Sequence, residues 1–327
     1  MIEFSEITEI SIITKQGRFS DDILPAADKG RSSVLLISKA KRLLNMIKTT
    51  LKIMTLLALT MSLTGCDYLL FDPKGPIAEE QMYLIIWSFL IMLIVVIPVI
   101  YMTIWFAYKY RASNTEAEYK PSWEHSTLIE VVVWTVPLII IIVLGIITYK
   151  TSFSLDPRQA LKSSNDTVRI QVVALDWKWL FIYPEQEIAT VNELALPIDT
   201  PVEFLITSDT VMNSFFIPQL GSMIYAMAGM ENQLHLIAEE QGSYRGLSAN
   251  YSGFGFSGMK FQAHAKDEAG FNAWIDTVKA SNRTLSKQEY ADLIVKTKDH
   301  PVEYFSQVNP LLFNQIIEKY TGVQNGQ

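Results

Sequence analysis

From Gln81 to Tyr108 the chain runs 28 residues without a charged side chain, and from Val131 to Tyr149 it runs another 19. As helices these extend about 42 Å and about 28 Å, against a bilayer hydrocarbon core of about 30 Å. Both lengths predict transmembrane helices, 81–108 and 131–149, with room for the first to tilt. Tyr83, Trp87, Trp105 and Tyr108 flank the first run, and Trp134 and Tyr149 the second; such residues favour headgroup depth. Pro98 fits a spanning helix, because a neighbouring helix can satisfy the freed backbone group.

A third apolar run differs in kind. Lys48 and Lys52 precede Ile53 to Ser62, and Leu63-Thr64-Gly65-Cys66 follows. A positive n-region, a short h-region and a small-residue cleavage site predict a secretory signal peptide over 46–65. Met1 to Asn45 shows no sustained period, so this extension is expected to be removed with the signal or to precede the true initiator, Met46. Leu-Thr-Gly-Cys resembles the bacterial lipobox, which makes Cys66 the expected lipidated N-terminus. With Cys66 outside, 66–80 is a periplasmic linker, 109–130 a cytoplasmic loop, and everything after 149 is periplasmic. Lys109, Arg111 and Lys120 in that loop agree with the positive-inside rule.

After Asp156-Pro157 the pattern changes to short β-type segments between turn residues. Thr167 to Val173, Trp177 to Tyr183, Val202 to Thr207, Gln233 to Ala238 and Met259 to Ala265 are rich in β-branched or aromatic residues. Their spacing predicts an all-β sandwich over 160–266. From Asp267 the period turns helical: Phe271, Trp274, Ile275 and Val278 share one face. Ser286 to Glu289 has capping-box spacing, and Asn309-Pro310 predicts an N-cap and first helical residue. The segment 267–327 therefore reads as a helical appendage whose aromatic face packs on the sandwich or on a partner.

Composition sharpens this picture. The chain is 49% apolar and only 19% charged, too hydrophobic for an ordinary soluble protein of 327 residues. Its net charge of −7 falls entirely within 151–327. No basic stripe is present for phosphate contacts, which excludes a nucleic-acid partner. A single cysteine excludes an intramolecular disulfide and any Cys-pair metal site.

Catalytic patterns are equally scarce. Gly253-Phe254-Gly255-Phe256-Ser257-Gly258 matches G-x-G-x-x-G by letter, but it leads into a strand-like run and not a helix, so no nucleotide site is expected. His125, His235, His264 and His300 do not pair at ligand spacing. No Gly-x-Ser-x-Gly nucleophile elbow occurs.

Several separate motifs nevertheless occur in a familiar order. They are the lipobox, the two spans, Asp176-Trp177-Lys178-Trp179-Leu180-Phe181-Ile182-Tyr183-Pro184-Glu185, Val211-Met212-Asn213-Ser214-Phe215-Phe216-Ile217-Pro218 and the glycine-rich loop. Together they resemble subunit II of the haem-copper respiratory oxidases, most closely the cytochrome bo-type ubiquinol oxidase branch. The resemblance covers Cys66 to about Tyr320. It implies two transmembrane helices, a cupredoxin-like sandwich and an aromatic-rich C-terminal helical segment, in a bacterial inner membrane.

In the cytochrome c oxidase branch the sandwich holds a binuclear copper centre. Here Asn213 occupies the position of the first His ligand. Ser248 and Ser252 replace the cysteines, Asn250 the Glu and Phe256 the second His, and only Met259 remains. The resemblance therefore implies no metal or other cofactor in this chain, since hydroxyls and a thioether make a poor copper site. It places haem and copper in subunit I, with ubiquinol reaching the complex there and no cytochrome c partner. The expected partners are subunit I, the other oxidase subunits and membrane lipid. Trp177 and Trp179 match the aromatic stretch beside the family's electron-entry point, and are expected to act in packing here. Glu130, in Glu-x-x-x-Trp-Thr-x-Pro, matches the position near the entrance of a proton pathway, the plain alternative being a solvated boundary carboxylate. A rival from another class is a membrane lipoprotein scaffold that reuses a cupredoxin shell.

Overall fold

The computed structural model describes residues 45, 48–55, 69–118 and 120–322. The chain divides into two compact units, 1–67 and 68–327. In the first, residues 48–55 are helical, and the Thr49 and Thr55 hydroxyls donate to the carbonyls of Asn45 and Leu51. Met46 and the expected cleavage sequence, Cys66 included, lie outside the described residues.

The second unit opens with two long helices, α1 (Pro76–Lys109) and α2 (Thr127–Ser154). Both are long and apolar enough to cross a membrane, and none of the apolar window of either is buried. Helix α1 starts five residues before the uncharged run. Pro76 supplies the first helical position after an extended Gly75. The added turn is then fixed by packing, with Ile77 and Ala78 buried against Gly221, where a Cβ would stand 2.6 Å from Ile77. Gln81 and Ser222 exchange hydrogen bonds of 3.1 and 3.3 Å. Lys74 donates its N–H to Gln219 and accepts from Glu239. The first helix is thus bonded to the domain that follows.

That domain contains β1 (Val168–Leu175), β2 (Lys178–Tyr183), β3 (Ile188–Val191), β4 (Glu193–Pro197), β5 (Val202–Ser208), β6 (Asn213–Ile217), β7 (Gly221–Ala226), β8 (Asn232–Leu236), β9 (Gly242–Ser248) and β10 (Lys260–Lys266). The C-terminal segment adds α3 (Glu268–Lys279), β11 (Thr284–Leu285), α4 (Lys287–Leu293), β12 (Glu303–Phe305), β13 (Gln307–Val308) and α5 (Leu312–Thr321). One sheet runs β12-β3-β2-β1-β5-β8 and faces a second, β4-β10-β9-β6-β7, while β11 and β13 pair separately. This is the cupredoxin-like sandwich expected after two apolar helices.

Two cores flank the first sheet. Between the sheets, Phe215 and Phe261 stack at 5.1 Å, and Trp179 meets Phe215 edge-on at 5.4 Å. On the other face Val173, Leu180 and Ile182 pack with Leu285, Phe305 and Phe313 of the C-terminal segment. Strand β2 is therefore buried along its whole length, which explains its apolar run from Trp179 to Tyr183.

Four sequence expectations need correction. Trp177 is not in a strand: it occupies the two-residue turn between β1 and β2 at φ 64°, a left-handed conformation uncommon for a bulky side chain. Strands β3, β4, β6, β7 and β9 were not marked by the β-type runs. The C-terminal segment is not only a helical appendage, since β12 joins the edge of the first sheet through β3. Finally, α5 starts at Leu312, with Leu311 at the N-cap; Asn309 instead accepts the Leu311 N–H in a turn before the helix. By contrast, Ser286 caps α4 from Glu289 N–H, and α3 buries Phe271, Trp274, Ile275 and Val278.

Candidate functional site

The ligand positions lie at one end of the sandwich, where β6 begins and β9 ends. Asn213 is fully buried as the first residue of β6. Its amide donates to the Val211 carbonyl at 2.9 Å, and its Oδ1 accepts from the Ser248 hydroxyl at 3.2 Å. Strand pairing brings these two together, because Ser248 lies opposite Phe215 in the β6–β9 register. The 249–259 loop is closed by the Ser248 N–H donating to the Met259 carbonyl at 3.1 Å. Asn250 donates its amide to the Met212 carbonyl at 3.1 Å.

The remaining positions point elsewhere. Met259 is buried in the inter-sheet core. The Ser252 hydroxyl is buried without a hydrogen-bond partner among the described residues, while its carbonyl accepts from Trp177 Nε1 at 3.0 Å. Phe256 opens a short 3-10 turn, Phe256–Gly258, and packs edge-on against Tyr251 at 5.7 Å. The cluster thus offers two amides, hydroxyls and carbonyls, most already hydrogen-bonded to one another. Among the described residues no group of three or more His, Cys, Asp or Glu could hold a metal ion.

The two tryptophans separate in role. Trp179 is wholly buried in the aromatic core. Trp177 lies on the loop itself: a Cβ at Gly255 would collide with its ring, and Phe254 meets it edge-on at 6.5 Å. Gly255 is a glycine for want of space, whereas Gly253 has φ 110° and needs its conformational freedom. The loop passes into strand β10, where the dinucleotide motif would pass into a helix.

Glu130 is exposed in the first turn of α2, and among the described residues its carboxylate has no partner. Each histidine has its own neighbours: His125 Thr127, His235 Glu203, His264 Ser243 and Glu193, and His300 Thr297 and Glu303.

Two residues beside the site escaped the sequence reading. Lys178 is fully buried and donates to the carbonyls of Leu293 and Val295 at 2.7 and 2.8 Å. Burial lowers its pKa, opposed by Glu303 and Asp176. Asp209 accepts from Tyr290 and Lys319, both at 2.7 Å; burial and this carboxylate raise the Tyr290 pKa. A signal for Lys178 existed, a lone charge within the apolar run Trp177 to Tyr183, which requires a partner.

Comparison with known proteins is decisive at this point. Residues 168–265 match the family model "Cytochrome C oxidase subunit II, periplasmic domain", and 279–323 match "COX Aromatic Rich Motif". The cytochrome bo(3) ubiquinol oxidase subunit 2 of Pseudomonas aeruginosa is 59% identical over 81% of this chain and 80% of that protein. The chain belongs to the subunit 2 family of the ubiquinol oxidases. The ubiquinol oxidase subunit 2 of Acetobacter aceti is 56% identical over 81% of this chain and 86% of its own length. For the cytochrome bo(3) ubiquinol oxidase subunit 2 of Buchnera aphidicola subsp. Schizaphis graminum the values are 48%, 82% and 93%. The family is that of a haem-copper oxidase subunit, which displaces the unrelated-scaffold reading.

Proposed function

We propose that this chain is a non-redox subunit of a proton-translocating ubiquinol oxidase, and that its sandwich holds no copper. The donor set carries this reading. Copper of the binuclear type is bound by thiolates and imidazoles, and the six positions supply neither. Asn213 and Ser248 satisfy each other instead. The residues do not fit the metal, so no electron step runs through this domain. The electrons of ubiquinol are taken up in subunit I, where the family places haem and copper.

The chain then contributes assembly. Its two helices dock in the inner membrane beside subunit I, the sandwich caps the periplasmic face and 109–130 faces the cytoplasm. Their bare apolar surfaces suit lipid and a helical partner. Cys66 carries the lipid, although two spanning helices anchor the chain more strongly than acyl chains do. Glu130, a carboxylate at the end of a span with no partner among the described residues, would hand a proton to subunit I.

The complex purified in detergent tests the reading. It should contain haem, consume oxygen with ubiquinol and hold no copper beyond the catalytic copper of subunit I; additional stoichiometric copper would overturn the assignment. Glu130→Ala should slow quinol-driven oxygen uptake at unchanged haem content, with Glu130→Asp milder. Equal turnover in all three proteins would return Glu130 to the role of a solvated boundary residue.

A further inference from the structure

The aromatic-rich segment is the part of the chain that the oxidase reading leaves without a task. Most of its rings are committed. Phe305 and Phe313 are buried, and the hydroxyls of Tyr290 and Tyr304 are held by Asp209 and Glu193.

Three loops frame Asn213 and Ser248: the 176–177 turn, the 209–212 loop and the 249–259 loop. The C-terminal segment grips all three. At the first, Lys178 holds the Leu293 and Val295 carbonyls, and Lys296 lies 3.6 Å from Asp176 and over the Trp177 ring. At the second, Tyr290 and Lys319 bind the Asp209 carboxylate and Tyr320 its carbonyl. At the third, Lys298 stands over Phe254 at 5.3 Å, and Asp299 lies so close to Gly258 that a Cβ there would collide with it.

From these contacts the grip passes inward to the ligand positions. Thr210 donates to Asp176 at 2.6 Å, Trp177 to Ser252, Asn213 to Val211 and Asn250 to Met212. Loops of this kind lose conformational entropy when they are held in one geometry, and something must offset that loss. In a loaded metal centre the ligand bonds do so.

We propose that the C-terminal segment is a clamp that orders the three loops around Asn213 and Ser248, in place of the cross-links a metal ion would make. The comparison with a metal rests on the reading that these positions hold no copper; the clamp itself rests on the contacts. Lys178 is its central residue. Its ammonium joins the start of β2 to two backbone carbonyls of the segment, and the Leu293 carbonyl would be left buried and unpaired without it.

Hydrogen exchange on the purified oxidase complex tests the proposal. Lys178→Met keeps the length and apolar stem of the side chain but removes its donors, and Asp209→Asn removes the charge that Lys319 pairs with. In both variants amides of 209–212 and 249–259 should exchange at least tenfold faster, while those of β1 and β2 stay as slow as in the parent. Loosening confined to 287–300, with both loops still protected, would overturn the clamp. Should Lys178→Met not assemble, Asp209→Asn and Tyr290→Phe supply the same readout at 209–212. Copper analysis of the same samples reports separately on the metal reading, so the two can fail independently.

Discussion

Aromatic side chains crowd both the glycine-rich rim of the sandwich and the seam between the sandwich and the C-terminal segment, yet they end in opposite places. Tyr251 and Phe254 of the rim are 75% and 81% exposed, whereas Phe305 and Phe313 of the seam are 0% and 1% exposed. The difference lies in what each region has to cover. The seam closes over the outer face of β1, β2 and β3, an apolar surface that would otherwise meet water. The rim leaves its aromatic rings exposed among the described residues, and is positioned by hydrogen bonds such as Trp177 to Ser252 and Ser248 to Asn213. Burial fixes one region and polar cross-links fix the other.

The largest effect that could break this contrast comes from one ring in each region. Phe305→Ala should cost about 3–5 kcal/mol, because it empties a filled position against β3 and removes the ring beneath the Arg283 guanidinium. Phe254→Ala should change stability by no more than about 0.5 kcal/mol, the ordinary range for an exposed substitution. Denaturant unfolding of the two variants, followed by tryptophan fluorescence, compares them directly. Similar losses from both would mean that the rim is packed in the assembled protein.

A steric test of the rim comes next. Gly255 has φ −89°, which alanine adopts freely, so Gly255→Ala carries no backbone penalty. The methyl group would instead strike the Trp177 ring, and overpacking of this kind costs about 1–3 kcal/mol. The Trp177 emission should shift as its contact with the loop opens, and Trp177→Phe should relieve part of the loss. An alanine variant as stable as the parent would show that the loop yields without strain.

Much of this was legible along the chain, and what was not has identifiable causes. The two helices announced themselves by length and lack of charge, and α3 by its period. Strand β6 was hidden because Asn213-Ser214-Phe215-Phe216-Ile217 does not alternate, Ser214 being buried along with Phe215. Strand β2 was placed correctly except at Trp177, whose aromatic character suggested strand although its backbone is left-handed. The ligand positions were legible only through the family motif, since Asn213 and Ser248 meet across a sheet pairing that joins residues 35 apart. Lys178 and Asp209 were missed for the same reason: their partners, Leu293 and Lys319, are 115 and 110 residues away.

The smallest effect separates the regions by pH. His300 lies in the seam, with Thr297 on Nδ1 at 2.9 Å, Glu303 at 3.5 Å from Nε2, and the charges of Lys178 and Arg283 nearby. Burial lowers its pKa most, the Lys178 charge lowers it further, and Glu303 opposes both. A histidine held below its ordinary value of about 6.5 is neutral in the folded chain, while the unfolded chain takes up a proton as pH falls through that value. The unfolded state then binds more protons, so the seam should lose stability as pH drops from neutral to below about 6.5. Exchange protection of amides in 287–308, corrected for intrinsic rates, should decline over that window and stay flat in His300→Gln. The rim loop 249–259 contains no titratable side chain other than Tyr251, and it should respond only as far as the seam holds it. A decline in the rim that precedes the one in the seam would reverse the order of dependence between the two regions.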